Sequence, residues 1–136
     1  MTTWNDRNRA VIEEFRANGG QVQGWGSLIL LTTTGAKTGQ QRIAPLMLVN
    51  DGNRLLAVAS KGGAPKHPDW YLNILAHPEV TVEVGSEKFE TTARILTGDE
   101  REQAYRRAAE VVPPYADYQK RTTREIPVIA LERPTK

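Results

Sequence analysis

No apolar stretch of this 136-residue chain runs further than a few residues before a polar residue, glycine or proline interrupts it, and Leu28 to Leu31 is a typical run. Turn residues placed between short β-branched or alternating segments mark strands joined by hairpins. The same punctuation leaves no membrane-spanning helix, which needs about 20 consecutive apolar residues.

Taken in order, the spacing predicts a helix from Thr3 to Asn18, capped by Thr3, with Asp6 in its first turn and Val11, Ile12 and Phe15 on one face. Gly19-Gly20 ends it, and Gln21 to Ser27, containing Trp25, reads as a glycine-rich connector. Leu28 to Thr34, Arg42 to Val49 and Arg54 to Ser60 read as three strands of one meander. Pro45 implies an edge or a bulge, and Asn50-Asp51-Gly52 a hairpin turn. Pro68 and His77-Pro78 bound a short helix from Asp69 to Ala76.

Val80, Val82 and Val84 alternate with polar residues as a half-buried strand does. Gly85-Ser86 turns the chain, and Lys88 to Leu96 pairs back. Thr97 to Glu100 has the form of a capping box, and the helix after it sets Ala104, Tyr105, Ala108, Val111 and Val112 on one face. Pro113-Pro114 breaks that helix and starts another carrying Tyr115 and Tyr118; Ile126 to Leu131 is the last strand.

Six mostly antiparallel strands with helices packed outside them make a mainly β, α+β chain, an antiparallel barrel or sandwich. Its length suits one domain over residues 1–136, with a helix and connector at 1–27. No alternation of strand and helix suggests a doubly wound sheet.

A formal charge of +2 fits an anionic small molecule at least as well as nucleic acid. Lys120, Arg121 and Arg124 form a small basic cluster without interleaved stacking aromatics, so nucleic acid is not expected. The absence of cysteine removes disulfides, thiolate–zinc sites and thiol nucleophiles, and agrees with the cytoplasm. His67 and His77 lack the partners of a metal cluster, so no metal is expected.

Two loops carry the candidate chemistry. Gly35 to Gly39 brackets Lys37 and Thr38 with glycines, and Arg42 opens the next strand. Ser60-Lys61-Gly62-Gly63 follows another strand. Each reads either as backbone amides and cations gathered for a phosphate or carboxylate, or as an ordinary polar turn. Neither is a P-loop, since the glycine spacing is wrong. Trp70, with Asn73 three residues on, is either core or an aromatic wall. Tyr115 and Tyr118 share a helix face, as phenolic donors or as cover for the barrel mouth.

Together, LLTTTGAKTGQQRIAPL (Leu30 to Leu46), ASKGGAPKHPDWYLNILAHP (Ala59 to Pro78) and PPYADYQKRTTREIPVIALE (Pro113 to Glu132) resemble the deazaflavin-dependent nitroreductase family, in order from about Leu28 to the end. The resemblance implies a split β-barrel that holds reduced coenzyme F420, an 8-hydroxy-5-deazaflavin with a phosphodiester and glutamate tail. It implies hydride transfer to a quinone, enone or nitroaromatic. By motif position, Lys37, Thr38 and Arg42 would meet phosphate and tail, and Ser60, Lys61, Gly62 and Gly63 the phosphate or ring edge. Pro45, Trp70 and Asn73 would line the deazaflavin, and Tyr115 and Tyr118, with Ser60, would face the acceptor. Ala36 stands where relatives often carry a basic residue. The alternative is a non-catalytic carrier of F420 or another anionic heterocycle such as FMN or heme. Monomer and homodimer both stay open, as does peripheral contact with a membrane.

Overall fold

The computed structural model describes residues 4–24 and 26–134. Thr3, the expected cap, and Trp25 of the connector lie outside the described residues.

Helix α1 (Trp4–Ala17) leads into a short strand β1 (Gln21–Val22), β2 (Gly26–Thr34), β3 (Gln41–Met47), β4 (Asn50–Asp51) and β5 (Arg54–Val58). A 3-10 turn (Lys61–Gly63) precedes α2 (Asp69–Ala76). Then come β6 (Glu79–Val84), β7 (Glu87–Thr92), β8 (Arg94–Ile95), α3 (Gly98–Val111), α4 (Pro114–Lys120) and β9 (Val128–Glu132). The six strands expected from the sequence are the six of five residues or more: β2, β3, β5, β6, β7 and β9.

They form two antiparallel sheets of a split barrel that does not close. One runs β1-β2-β6-β7 with β3 on the other side of β2, the second β4-β5-β9-β8. The expected meander is therefore corrected: β3 pairs with β2, whereas β5 pairs with β4 and β9. The chain passes from one sheet to the other over Leu48 and Val49, with the Leu48 amide donating back to Ser27 O and the Leu56 amide to Val49 O. A second crossing splits the expected strand Lys88 to Leu96. At Ala93 the amide turns aside to Pro78 O, and β8 continues in the other sheet beside β9. The expected connector holds β1, which pairs with the start of β2.

The core has three layers. Between the sheets lie Ile29, Leu31, Leu55, Ala57, Val82, Ile129 and Leu131, with Trp70 and Ile74 of α2 closing one end. Under α3 and α4 the other face of the second sheet buries Leu56, Val58, Val128 and Ala130 against Ala104, Tyr105, Ala108 and Tyr115. Under α1, Phe15 meets Leu28 and Leu30. Strand β5 is thus buried on both faces, which explains why it reads as a continuous apolar run and not as an alternation.

Two details of α3 differ from expectation. Thr97 occupies the N-cap but makes no side-chain capping bond, and the Glu100 carboxylate, the other half of the expected box, is taken by Arg94 and Arg54. Val111 is 42% exposed; Arg101 takes a place on the buried face instead.

Candidate functional site

The Ser60 turn begins where β5 leaves the core. Ser60 is right-handed (φ −78°, ψ −39°) and Lys61 is left-handed (φ +47°), the one non-glycine residue with positive φ among the described residues. A side chain in that region costs of order 1–2 kcal/mol. A right-handed residue followed by a left-handed one turns successive N–H groups into one concavity, which favours an anion. The Ser60 hydroxyl caps nothing.

Glycine is required at position 63 twice over. Its φ is +81°, and a Cβ there would lie 2.9 Å from Tyr118 O and 3.1 Å from Arg121 Cβ. The close approach sets the turn directly against α4, the helix of the two tyrosines.

Pro114 at the first helical positions preorganises α4, and the Tyr105 hydroxyl donates to Tyr115 O. The Tyr115 and Tyr118 rings lie 6.0 Å apart at 56°, and the Arg121 guanidinium sits 5.4 Å over the Tyr118 ring. Tyr115 is buried, and burial, reinforced by Tyr118 and Tyr105, pushes its phenol up to about 12. It therefore keeps its proton at every physiological pH and can only donate or accept a hydrogen bond as a neutral hydroxyl.

Strand β3 adds an apolar side. Register sets Pro45 opposite Leu30 and Met47 opposite Leu28, so Pro45 and Met47 share the face turned to α1. Met47 also packs against the layer under α3 and α4, as do Val112 and Tyr118. Pro45 lies on an edge strand, as expected.

The Gly35–Gly39 loop is held by α2. The Gly35 amide donates to Gln40 O at 2.7 Å and the Gly39 amide to Gly35 O at 2.9 Å, closing the loop. The Ala36 amide donates to Asn73 Oδ1 at 3.0 Å, and Asn73 Nδ2 donates to Thr33 Oγ1 at 3.0 Å. Asn73 is buried and both ends of its carboxamide are engaged within the protein. Thr38 Oγ1 accepts from the Gln40 amide, and Arg42 donates to Gln40 Oε1. Lys37 and Arg42 are exposed.

Arg16, Arg54, Arg94, Arg101, Arg107 and Arg133 each meet a carboxylate. Among the described residues, Lys37, Arg42, Lys61 and Lys66 enter no ion pair, which leaves their charge for a ligand. Unpaired cations are not confined to the two loops: among the described residues Arg9, Lys88, Arg106, Lys120 and Arg121 also enter no ion pair.

The structure thus sets Gly63 of the Ser60 turn against Tyr118, beside Tyr115, and ties the loop that carries Lys37 and Thr38 to Asn73 through the Ala36 amide. Trp70 is buried among Ile29, Leu55 and Ile129 in the layer between the sheets. Two surface cavities, about 620 Å³ beside Glu14 and Gln21 to Gly24 and about 400 Å³ over Thr32, Thr34 and Thr81, contain none of these residues. Sequence reasoning missed Thr33 and Met47, which look like ordinary strand residues, and the arginines Arg101 and Arg124, discussed below. Among the described residues there is no cluster that could hold a metal ion, and no helix long and apolar enough to cross a membrane.

Comparison with known proteins adds the following. A family profile described as F420H(2)-dependent quinone reductase matches residues 6–133. An F420H(2)-dependent quinone reductase of Mycobacterium tuberculosis is 41% identical over 120 residues, 85% of this chain and 79% of that protein. A solved F420-H2 dependent reductase is 50% identical, with a TM-score of 0.72, over 77% of this chain and 93% of that one. A solved chain described as a domain-swapped dimer is 44% identical, with a TM-score of 0.75, over 95% of this chain and 97% of that one.

Proposed function

The chain belongs to the F420H(2)-dependent quinone reductase family, and from that premise we propose how its own residues serve coenzyme F420 and a quinone acceptor. It is an F420-dependent oxidoreductase, so of the two readings left open by the sequence the enzyme holds and the passive carrier falls away.

One observation carries the assignment of residues: the right-handed Ser60 and left-handed Lys61 form an anion-favouring concavity pressed against the tyrosine helix through Gly63. The residues fit an anionic deazaflavin. Lys37, Arg42 and Lys61 bring charge that no carboxylate offsets, and backbone amides at Ser60, Lys61 and Gly62 suit a phosphodiester. Pro45 and Met47 offer an apolar face of the kind a flat heterocycle rests on. Asn73 serves from behind, fixing the Lys37 loop to α2 through Ala36 and Thr33. Trp70 holds α2 in the core, so its part is to place Asn73.

When bound, reduced F420 supplies the hydride. The protein supplies position and a hydrogen-bond donor. Tyr115 keeps its proton and presents it to a carbonyl oxygen of the acceptor, where negative charge develops as the quinone is reduced. Tyr118 forms the outer wall beside it, with Arg121 over its ring adding positive charge near the same oxygen. Ser60, at the junction of turn and tyrosines, is a second hydroxyl within that wall.

The test is steady-state oxidation of reduced F420 by the pure protein with a simple naphthoquinone, followed by loss of the deazaflavin's reduced-state spectrum. Turnover that saturates in both reactants supports the reading. No turnover with quinones, enones and nitroaromatics alike would contradict it.

A further inference from the structure

Arg124 lies on the segment between α4 and β9, in the small basic cluster it forms with Lys120 and Arg121. Its guanidinium points inward. Nε donates to Ala64 O at 2.8 Å, Nη2 to Ser60 O at 2.7 Å and Nη1 to Ala59 O at 3.2 Å; Nη1 also lies 3.1 Å from His67 Nδ1. Four of its five N–H donors are thereby used, all on neutral acceptors. No carboxylate meets it among the described residues. Burial and the nearby guanidinium hold His67 below its ordinary pKa of 6.5, which keeps Nδ1 free to accept.

The three carbonyls flank the turn that carries the anion-favouring concavity. In a trans peptide the C=O and the following N–H point in opposite directions. Drawing Ala59 O and Ser60 O onto Arg124 therefore directs the Ser60 and Lys61 N–H groups away from it. Fixing Ser60 O and Ala64 O on either side also holds Lys61 in its left-handed conformation, which a lysine does not adopt unless its surroundings impose it.

We propose that Arg124 is the positioning residue of the coenzyme turn, clamping Ala59, Ser60 and Ala64 so that the Ser60–Gly62 amides meet the phosphodiester of F420, with His67 as its fourth anchor. This rests on the reading of Ser60–Gly63 as the phosphate-binding turn. Arg124 acts through the backbone, since four of its five donors are already occupied. Geometry and not charge is its contribution, and lysine cannot replace it: an ammonium has three donors and no planar fork to span carbonyls on both sides of a turn.

The experiment compares the unmodified protein, Arg124→Lys and His67→Leu, titrated with oxidised F420 and, separately, with the 8-hydroxy-5-deazaflavin ring lacking the phosphodiester tail. Melting temperature is read in parallel. Arg124→Lys is expected to weaken F420 about tenfold, the scale of one lost charge-assisted hydrogen bond, and to leave the tail-less ring unchanged. His67→Leu, which keeps the guanidinium and removes one anchor, is expected to weaken F420 by less and in the same selective way. Undiminished F420 binding by Arg124→Lys overturns the proposal, as does an equal loss for both probes, which would make Arg124 a general support of the fold. If Arg124→Lys does not fold, His67→Leu decides: selective loss of F420 supports the clamp and unchanged binding overturns it. Failure of the unmodified protein to bind F420 is read first, and it overturns the phosphate-turn assignment and this inference with it.

Discussion

Asn73 Nδ2 donates to Thr33 Oγ1 at 3.0 Å inside the protein, and the same carboxamide accepts from the Ala36 amide at 3.0 Å. A single buried side chain on α2 therefore fixes both the end of β2 and the loop that presents Lys37. Asn73→Ala leaves the Ala36 amide without its partner and is expected to destabilise the protein by about 1–3 kcal/mol. Asn73→Asp keeps an acceptor for Ala36 and for the Thr33 hydroxyl but buries an unpaired carboxylate, so it too should lose stability. Its added negative charge under the Lys37 loop should also weaken F420. Chemical denaturation and coenzyme titration of both variants check this; equal coenzyme affinity for Asp and Asn would contradict it.

Gly63 and Gly52 both have positive φ, +81° and +64°. They differ in surroundings, because a Cβ at 63 would meet Tyr118 O at 2.9 Å while nothing lies within 4 Å at 52. Gly52→Ala should cost about 1 kcal/mol, the conformational penalty alone. Gly63→Ala should cost more, and should also weaken F420 by pushing the turn off α4. Melting curves of the two variants give the comparison. Equal destabilisation would mean that the turn and α4 do not meet as described.

The local elements were legible in this sequence, and what joins them was not. Pro68 and His77-Pro78 bound α2 correctly because proline and its neighbours restrict the backbone wherever they occur. The three-strand meander failed because turn residues report that the chain reverses, not which edge it joins; Leu48 and Val49 carry it to another sheet by bonds to Ser27 and Leu56. The capping box failed for a similar reason, since Glu100 found Arg94 and Arg54 in space and left its own helix end. The glycine–lysine loops were visible as candidates, either anion cradles or polar turns, but their supports were not. Arg124 reaches carbonyls about 60 residues away in the chain. Arg101 gives Nε and Nη2 to Ile126 O from the buried face of α3. Neither relation leaves a local pattern.

Tyr115→Phe and Tyr118→Phe should leave F420 affinity nearly intact and lower turnover with quinone, Tyr115→Phe by about 100-fold, the scale of losing one hydrogen-bond donor to a developing oxyanion. Because that phenol is pushed up to about 12, it should contribute no fall in rate between neutral pH and pH 10. It also implies a stability change. Between pH 10 and about 12 the unfolded chain releases a proton that folded Tyr115 keeps, so stability falls as pH rises through that window. Melting temperatures in alkali should fall less steeply for Tyr115→Phe than for the parent; identical slopes would contradict the burial of a protonated phenol.

His67 works in the opposite direction on the pH scale. Its ring meets Arg124 Nη1 and lies 4.8 Å from the Tyr71 ring, tilted at 50°, and Glu125 is the nearby carboxylate felt by Tyr71. Burial, then Arg124, lowers its pKa from 6.5, so in mild acid the unfolded chain takes up a proton that folded His67 refuses. Stability should therefore fall as pH drops below about 6.5. His67→Gln, whose carbonyl can still accept from Arg124, should remove that share of the acid loss. An unaltered difference in melting temperature between pH 7 and pH 5.5 would show that His67 is not held neutral.

The most direct test of the assigned coenzyme site is a titration of the pure protein with oxidised F420 at low and high salt, in parallel with FMN, and repeated on Lys37→Ala and Lys61→Ala. Tight binding of F420 over FMN, weakened by salt and by each lysine substitution, is the result the two unpaired cations predict. Binding of F420 that neither lysine nor salt affects would contradict the site, and preference for FMN would contradict the coenzyme.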